Sequence, residues 1–589
     1  MNLKELQNSS LDEVWCNMIV EELVRQGVTS FFVAPGSRST PLAVAVAYHT
    51  KIDSYIFWDE RSLGYCAVGC SKGLQRTVAV ITTSGTAVAN LFPAIIEASL
   101  DFAPMIILTA DRPYELRDTG ANQTIDQVKI FKDYVRWYFE IPPPNEQIEP
   151  KAILSTIDYA VYKSNLNSPG PVHLNCLFRE PFFNKKVSFD YVKYKYYASW
   201  INNKQVFCNY FPDFFYTSNN NFNFHDYAQW LSKYEKGLII SGKNINKDLV
   251  SLLTKLSKLL QWPLLPDILS NARLDKYSEN LINYYNLIFK NSNIKYPDII
   301  IRFGTRFISK ELSQYMEEAN EAIHIHINNL SERFDPNNQV TDNLTIEPNF
   351  FCSGIVKELQ KFHITRHSNW LSSWITQNSK IENKLNILFN WNKVTISEPG
   401  IIRFLFEHWP EGYLGYLGSS MPIRDADSFA TYKNNSNVII HANRGASGID
   451  GNIATAIGLS LGTQKNILCI LGDLAFLHDF TSLALTKELQ KTMIFIVINN
   501  QGGGIFSFLP INKDKKICEK FFATSHNLTF SHIAKQFSLH YYNPKDYNTC
   551  KKHLQECISN NYKAIFEISS ERNYNYNFHK WIYENIENL

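Results

Sequence analysis

Residues 467–480 read ILCILGDLAFLHDF, a run of strand-forming apolar side chains that ends on Gly472-Asp473. A carboxylate at the end of a buried strand costs several kcal/mol unless a partner neutralises it. A second run, MIFIVINN, ends on Asn499-Asn500 and passes into Gln501-Gly502-Gly503-Gly504; Asn500 lies 27 residues beyond Asp473. Between them DFTSLALTKEL has helical spacing, with Leu477, Phe480 and Ala484 three and four residues apart, so the whole reads as a β-α-β unit. Its right-handed crossover sets both strand ends on one edge of a parallel sheet. An Asp carboxylate, an Asn carbonyl and a glycine-loop carbonyl form a hard oxygen set suited to Mg2+ and a diphosphate, and the glycines let backbone approach closely. Gly472-Asp473 alone reads as a helix cap; the Asn-Asn-x-Gly at this spacing points to a metal.

The same rhythm extends outward. TSFFVAPG, TVAVITTSG and APMIILTADRP are short apolar runs separated by helix-length segments such as LAVAVAYH and VANLFPAIIEASL. Such alternation predicts an α/β fold of doubly wound parallel sheets, whose ligands lie beyond the carboxyl ends of strands. At 589 residues, and at about 100–200 residues per domain, the chain holds about three domains. The expected divisions are 1–185, 190–370 and 375–589. KYKYYASW and TSNNNFNFHD read as connector and loop, GLIISG, DIIIRFG and AIHIHINN as strands of the second domain, and NVIIHAN as a strand of the third. Ser397-Glu398-Pro399 reads as a helix start.

Apolar residues make up 45% of the chain, and 58 basic against 56 acidic side chains leave a formal charge of +2, which gives no general drive toward nucleic acid or anionic lipid. No run approaches the about 20 apolar residues of a membrane span, and the opening MNLKELQNSSLDEV lacks the apolar core of a signal peptide. A reducing, cytoplasmic setting is expected, or the plastid stroma for a plastid-derived gene. The ten cysteines form no CxxC pair and are expected to be buried structural residues.

Charge recognition is therefore local. APGSRSTPL offers Ser37 and Arg38 after a strand, TADRP offers Arg112, GANQTIDQ offers Asn122 and Gln123, and HANRGASGIDG offers Arg444. Arginine forks match carboxylates bidentately, so this set predicts substrates carrying several carboxylates.

The Gly-Asp, spacer and Asn motif resembles that of the thiamine diphosphate enzymes. Position 474 is Leu where the commonest form has Gly, and one branch of that family accepts a larger residue there. The resemblance implies three α/β domains (pyrimidine-binding, central and diphosphate-binding) and assigns Asp473, Asn500 and the Gly502 carbonyl to Mg2+, with Mn2+ able to substitute. It also implies a carboxylate that drives the cofactor's aminopyrimidine through its imino tautomer. YIFWDERSLGYCAVG places Glu60 at that position, after an apolar strand and before a helix. TTSGTAVAN, with Gly85 and Thr86, corresponds to the pyrimidine pocket, and Ile449 to the apolar wedge that bends the cofactor. Such enzymes join two chains at each active site, so the resemblance implies a homodimer or homotetramer.

APGSRSTPL, DERSLG, TSGTAVANLFPAIIEA, LTADRP, GANQTIDQ, NRGASGIDG and NNQGGGIFSFLP are similar to the branch of this family that serves menaquinone and phylloquinone biosynthesis. That branch implies decarboxylation of 2-oxoglutarate and 1,4-addition of the succinyl carbanion equivalent to isochorismate. It assigns Arg444, Ser420 and Arg424 to the succinyl carboxylate. Ser37, Arg38, Arg112, Asn122, Gln123 and Lys310 fall to isochorismate, and Ile505, Phe506 and Leu509 to an apolar wall that excludes water. Some members carry Arg after the matching Lys, where this chain has Glu311. A carboligase acting on two pyruvates would need a small apolar acceptor pocket instead. A chain that had lost catalysis would lack the Glu or a metal ligand, and a nicotinamide dehydrogenase would carry GxGxxG after its first strand.

Overall fold

The computed structural model describes residues 10–180, 182, 198–210, 222–243, 247–274, 279–291, 294–391, 395–431 and 438–586. Three sheets follow one another along the chain, and every strand pairing in them is parallel. The first contains Ser30–Val33 (β1), Asp53–Ile56 (β2), Val78–Thr82 (β3), Met105–Asp111 (β4), Tyr138–Ile141 (β5) and Pro171–Leu177 (β6), in the order β2-β1-β3-β4-β6-β5. The second contains Gly237–Ser241 (β7), Leu264–Pro266 (β8), Ile299–Phe303 (β9), Ile323–Asn328 (β10) and Asp342–Thr345 (β11), in the order β11-β10-β9-β7-β8. The third contains Leu414–Leu417 (β12), Ile440–His441 (β13), Ile467–Gly472 (β14), Met493–Asn499 (β15), His540–Tyr542 (β16) and Ala564–Ser569 (β17), in the order β13-β12-β14-β15-β17-β16.

The first and third sheets thus share one strand order, and in both it reverses beside the first strand. Doubly wound sheets bind ligands at such a reversal, because the helices leaving the two strands go to opposite faces and open a crevice at the carboxyl ends. In the first sheet that crevice lies between the ends of β1 and β3, and in the third between those of β12 and β14.

The central strands are the apolar runs of the sequence. Every side chain of β3, β4 and β15 is buried, as strands covered on both faces require. The edge strands differ: β2 is largely exposed and β13 is only two residues long. Ser397 caps the helix Glu398–Glu407 through the Gly400 N–H, as expected. Two sequence expectations are corrected. Ala198–Asn203 and Phe224–Ser232 are helices where connector and loop were expected, whereas residues 193–197 and 217–221 of the same stretches lie outside the described residues. Trp200 makes the first of these helices worth forming: it is buried and its indole N–H donates to Glu22 at 2.7 Å. The helix after β14 runs over Asp473–Asp479 and then tightens into a 3-10 helix over Phe480–Glu488.

The chain forms two compact units. The first comprises residues 1–219, 443–464 and 478–490, and the second residues 220–442, 465–477 and 491–589. The helix Asn452–Thr463, which follows β13 in the chain, therefore belongs with the first sheet, where it packs along the helix Glu60–Leu74. Small residues set the closeness of that contact. A Cβ on Gly458 would run into the Cys66 carbonyl, one on Gly69 into the Thr455 carbonyl, and one on Gly462 would lie 2.5 Å from the Cys70 carbonyl.

A buried polar chain ties the same two helices at their starts. Asp59 caps the first through the Arg61 and Ser62 N–H groups, and Ser62 Oγ lies 2.9 Å from Ser482 Oγ. Ser482 donates to Asp479, whose other oxygen accepts the Ile453 and Ala454 N–H groups at 2.7 and 3.0 Å. Burial pushes the Asp479 carboxyl up to about 6 even so. Replacing Gly458 by Val forces the helices apart, and we expect a loss of about 3 kcal/mol in stability, read from the midpoint of urea unfolding at unchanged slope.

Candidate functional site

Two residue sets, one in each unit, gather at the carboxyl ends of strands. In the first unit the turn after β3, Thr83-Ser84-Gly85, is the focus. Gly85 has φ of 83°, and a Cβ there would lie 2.9 Å from the Gln123 side chain, so only glycine fits the turn. Gln123 donates from Nε2 to the Ser84 carbonyl at 3.0 Å, and the Arg112 guanidinium donates to Ser84 Oγ. Arg38, at the end of β1, donates to the Phe178 carbonyl at 2.8 Å and pairs with Glu180 at 3.1 Å. Both arginines are buried, with 5% and 8% of their surface exposed, and burial lowers both pKa values; for Arg38 the neighbouring Arg112 charge adds to the effect. Ser37, Thr86, Asn122 and Gln123 are exposed around this pair.

Glu60 is the first residue of its helix and half-buried, and Asn90 Nδ2 lies 3.4 Å from its Oε2. The Arg444 to Ile449 loop belongs to this unit as well. Arg444 is half-buried and Ile449 is 42% exposed, while Asp450 accepts a 2.7 Å hydrogen bond from the Tyr65 hydroxyl. Sequence reasoning missed Gln127, which is buried beneath the Gly85 turn. Its Oε1 accepts the Gly85 N–H at 2.9 Å, and its Nε2 donates to the Ala110 carbonyl and to Asn175 Oδ1. The signal was its place as the last polar residue of GANQTIDQ.

In the second unit Gly472 pairs with Ile498 in register, so the ends of β14 and β15 are adjacent, as the β-α-β crossover requires. Asp473 is 2% exposed. Its Oδ1 accepts the Leu474 N–H at 2.7 Å, its Oδ2 accepts the Gly502 N–H at 2.9 Å, and His526 Nε2 lies 3.3 Å from Oδ2. His526 Nδ1 accepts the Leu528 N–H, which leaves the ring proton on Nε2, facing the carboxylate. Burial still raises the Asp473 carboxyl above its usual range.

Asn500 is also buried. Its Nδ2 donates to Glu398 Oε1 at 2.9 Å, which fixes the amide so that Oδ1 points the other way, and that oxygen has no hydrogen-bond partner. Burial and then the nearby Asp425 carboxylate push Glu398 up to about 7. Sequence reasoning took Glu398 only for a helix start. A buried carboxylate and an orphaned amide oxygen at neighbouring strand ends, next to a glycine turn with φ of 143° at Gly502, suit a small divalent cation. Among the described residues no three His, Cys, Asp or Glu side chains cluster as a metal site. A site built from Asp, Asn and a backbone carbonyl does not need such a cluster.

At the other side of this crevice, β12 ends in Gly418-Ser419-Ser420. Ser420 has φ of 77°, a costly conformation for a residue with a Cβ, and its carbonyl accepts the Arg424 guanidinium at 2.6 Å. Ile505 and Phe506 lie half-buried in the 3-10 helix Gly504–Phe508, and Leu509 just after it is 46% exposed. Lys310 stands apart from these. It lines a cavity of about 560 Å3 with Arg302, Arg306, Arg333 and Asp335, while Glu311 pairs with Lys290 at 3.0 Å.

The chain matches the domains of one class of enzyme along most of its length. Residues 16–130 match the N-terminal TPP-binding domain of thiamine pyrophosphate enzymes, residues 194–411 the middle domain, and residues 424–568 the C-terminal TPP-binding domain. A protein of Rubrobacter xylanophilus named 2-succinyl-5-enolpyruvyl-6-hydroxy-3-cyclohexene-1-carboxylate synthase is 36% identical, over 97% of this chain and 97% of its own. One of Salinibacter ruber with the same name is 34% identical, over 98% of this chain and 96% of its own. The chloroplastic PHYLLO protein of Arabidopsis thaliana is 33% identical over 90% of this chain, which corresponds to 33% of its own length. The chain belongs to the thiamine pyrophosphate enzymes and, within them, to the family of these synthases. The three doubly wound parallel-sheet domains expected from the sequence are those of this class. Nine of the ten cysteines are buried, and Cys208 is partly exposed.

Gln127→Leu leaves the Gly85 N–H buried without an acceptor. We expect a loss of about 1–3 kcal/mol, measured by urea unfolding, whereas Asn122→Ala on the exposed side of the same turn changes stability little.

Proposed function

We propose that the chain decarboxylates 2-oxoglutarate and adds the succinyl carbanion equivalent in a 1,4 sense to isochorismate, giving 2-succinyl-5-enolpyruvyl-6-hydroxy-3-cyclohexene-1-carboxylate for menaquinone or phylloquinone synthesis. The supporting observation is the pair of buried arginines, Arg38 and Arg112, beside the Gly85 turn. Two guanidiniums kept this dry suit a substrate that brings carboxylates, and they are poorly suited to a small apolar acceptor. The relatives named for this reaction, matched along nearly their whole length, support the same reading.

Bound thiamine diphosphate supplies the electron sink for decarboxylation of a 2-oxo acid. Glu60 would exchange a proton with the aminopyrimidine ring of the bound cofactor. Gly85 and Thr86 allow the pyrimidine close approach, and Ile449 supports it from its apolar side. The Asp473 carboxylate, the orphaned Asn500 Oδ1 and the Gly502 carbonyl would hold Mg2+, or Mn2+ in its place. Arg444, Ser420 and Arg424 take the carboxylate of the succinyl part. Ser37, Arg38, Arg112, Asn122, Gln123 and Lys310 take the carboxylates and hydroxyl of isochorismate. Ile505, Phe506 and Leu509 keep water from the reacting carbon. Residues 1–185, 190–370 and 375–589 act as pyrimidine-binding, central and diphosphate-binding domains. The working form is a homodimer or homotetramer in the cytoplasm or, for a plastid gene, the stroma. No described helix is long and apolar enough to cross a membrane.

Incubation with thiamine diphosphate, Mg2+, 2-oxoglutarate and isochorismate yields the succinylated cyclohexene on this reading. Rapid consumption of pyruvate with none of 2-oxoglutarate would overturn it. Glu60→Gln lowers kcat by about 100-fold or more; a parental rate would remove the proton exchange from this residue. Glu398→Ala frees the Asn500 amide to turn, and we expect Mg2+ affinity to fall about 10- to 100-fold, read by calorimetric titration of metal in the presence of thiamine diphosphate.

A further inference from the structure

The Arg444 loop is held by a carboxylate to which neither motif nor resemblance assigned a role. Glu97 is the one charged residue of the helix Phe92–Leu100 and is 1% exposed. Its two oxygens straddle consecutive backbone donors of the loop: Oε1 accepts the Gly445 N–H at 2.9 Å, and Oε2 accepts the Ala446 N–H at 2.7 Å. Gly445 is pressed onto this helix. A Cβ there would lie 2.8 Å from the Glu97 carbonyl oxygen and 3.0 Å from Leu100 Cβ.

The other neighbour of Arg444 is pinned as well. Asn443 Oδ1 accepts a 2.9 Å hydrogen bond from Lys72 Nζ, and its Nδ2 donates to Thr455 Oγ1 at 2.8 Å. Lys72 pairs with Asp101 and lies 3.7 Å from Glu97 Oε1. Residue 444 is therefore suspended between two anchors, both fixed by one buried charge cluster. An apolar side chain at position 97 would pack this helix without the cost of burying a carboxylate. A carboxylate fixes what an apolar contact leaves loose: the register and direction of two successive peptide groups, and through them the point from which the guanidinium departs.

We infer that Glu97 is a positioning residue for 2-oxoglutarate, acting through the backbone of residues 445 and 446 to aim Arg444 at the distal carboxylate of the substrate. This rests on the reading that Arg444 receives that carboxylate. Glu97→Gln keeps the shape, but its amide NH2 opposes one of the two N–H groups and the clamp opens. A displacement of about 1 Å in a substrate-holding group is enough to cost one to two orders of magnitude.

The test measures kcat and the two KM values at saturating thiamine diphosphate and Mg2+, for the parent, Glu97→Gln and Arg444→Ala. The expected result is a rise of about tenfold in KM for 2-oxoglutarate in Glu97→Gln, with KM for isochorismate unchanged within about twofold. A merely structural role would move both KM values together or only the unfolding midpoint. Either of those outcomes, or no change at all, overturns the inference. If Arg444→Ala leaves KM for 2-oxoglutarate at the parental value, the assignment of Arg444 has failed. If Arg444→Ala raises it and Glu97→Gln does not, only the role of Glu97 has failed. Should Glu97→Gln not fold, Gly445→Ala opens the same clamp from the loop side and is judged by the same split.

Discussion

A parallel strand cannot be followed by its neighbour through a tight turn; the chain must first cross back along a helix. Every strand of a sheet then ends on the same edge, and where the winding reverses, two strand ends are left with an open crevice between them. The first and third sheets obey this constraint with one strand order, and their reversals carry the residues with chemistry. Arg38 and the Gly85 turn sit at one, Ser420 and Asp473 at the other. The crevices follow from the winding, and side chains at the ends of β1, β3, β12 and β14 are the ones offered to a ligand.

Three of the buried carboxylates are held mainly by backbone. Asp473 is neutralised in part by two peptide N–H groups, Asp479 by the start of a helix, and Glu97 by two peptides of a loop. Each N–H is fixed by the fold and carries no titrating proton. Such a donor holds a carboxylate in place while leaving its remaining lone pairs free for a cation or a substrate proton. A net charge of +2 says nothing about this, because the arrangement uses dipoles and local pairs that composition averages away.

The sequence disclosed the strands best where they are buried on both faces, since an unbroken apolar run needs no alternation to be recognised. β14 and β15 with their Asp473 and Asn500 ends were legible for that reason, and their register bears out the shared edge. β5 and β16 went unread because edge strands need little apolar surface, whereas the edges β2 and β13 were marked by YIFW and NVIIHAN. Glu97, Gln127 and Glu398 were not legible as site residues. A single buried polar residue leaves no period in the sequence, and its value depends on which backbone group it meets from far along the chain. Helix Ala198–Asn203 was missed because one tryptophan, bonded to Glu22, orders a stretch whose composition reads as loop. The spaced glycines Gly69 and Gly73, and Gly458 and Gly462, were visible as letters, but their partner helix could not be read from either segment alone.

The wiring of the first unit bears on how the protein is made. Helix Glu60–Leu74 leaves the ribosome early, yet the helix its glycines are shaped to receive, Asn452–Thr463, is synthesised almost four hundred residues later, and Ser482 later still. Until then the groove containing Gly69 and Gly73 has no cover. The nascent amino-terminal sheet must wait with that groove open through translation of the whole central sheet. A stall or truncation before residue 452 leaves the backbone at Gly69 and Gly73 open to water.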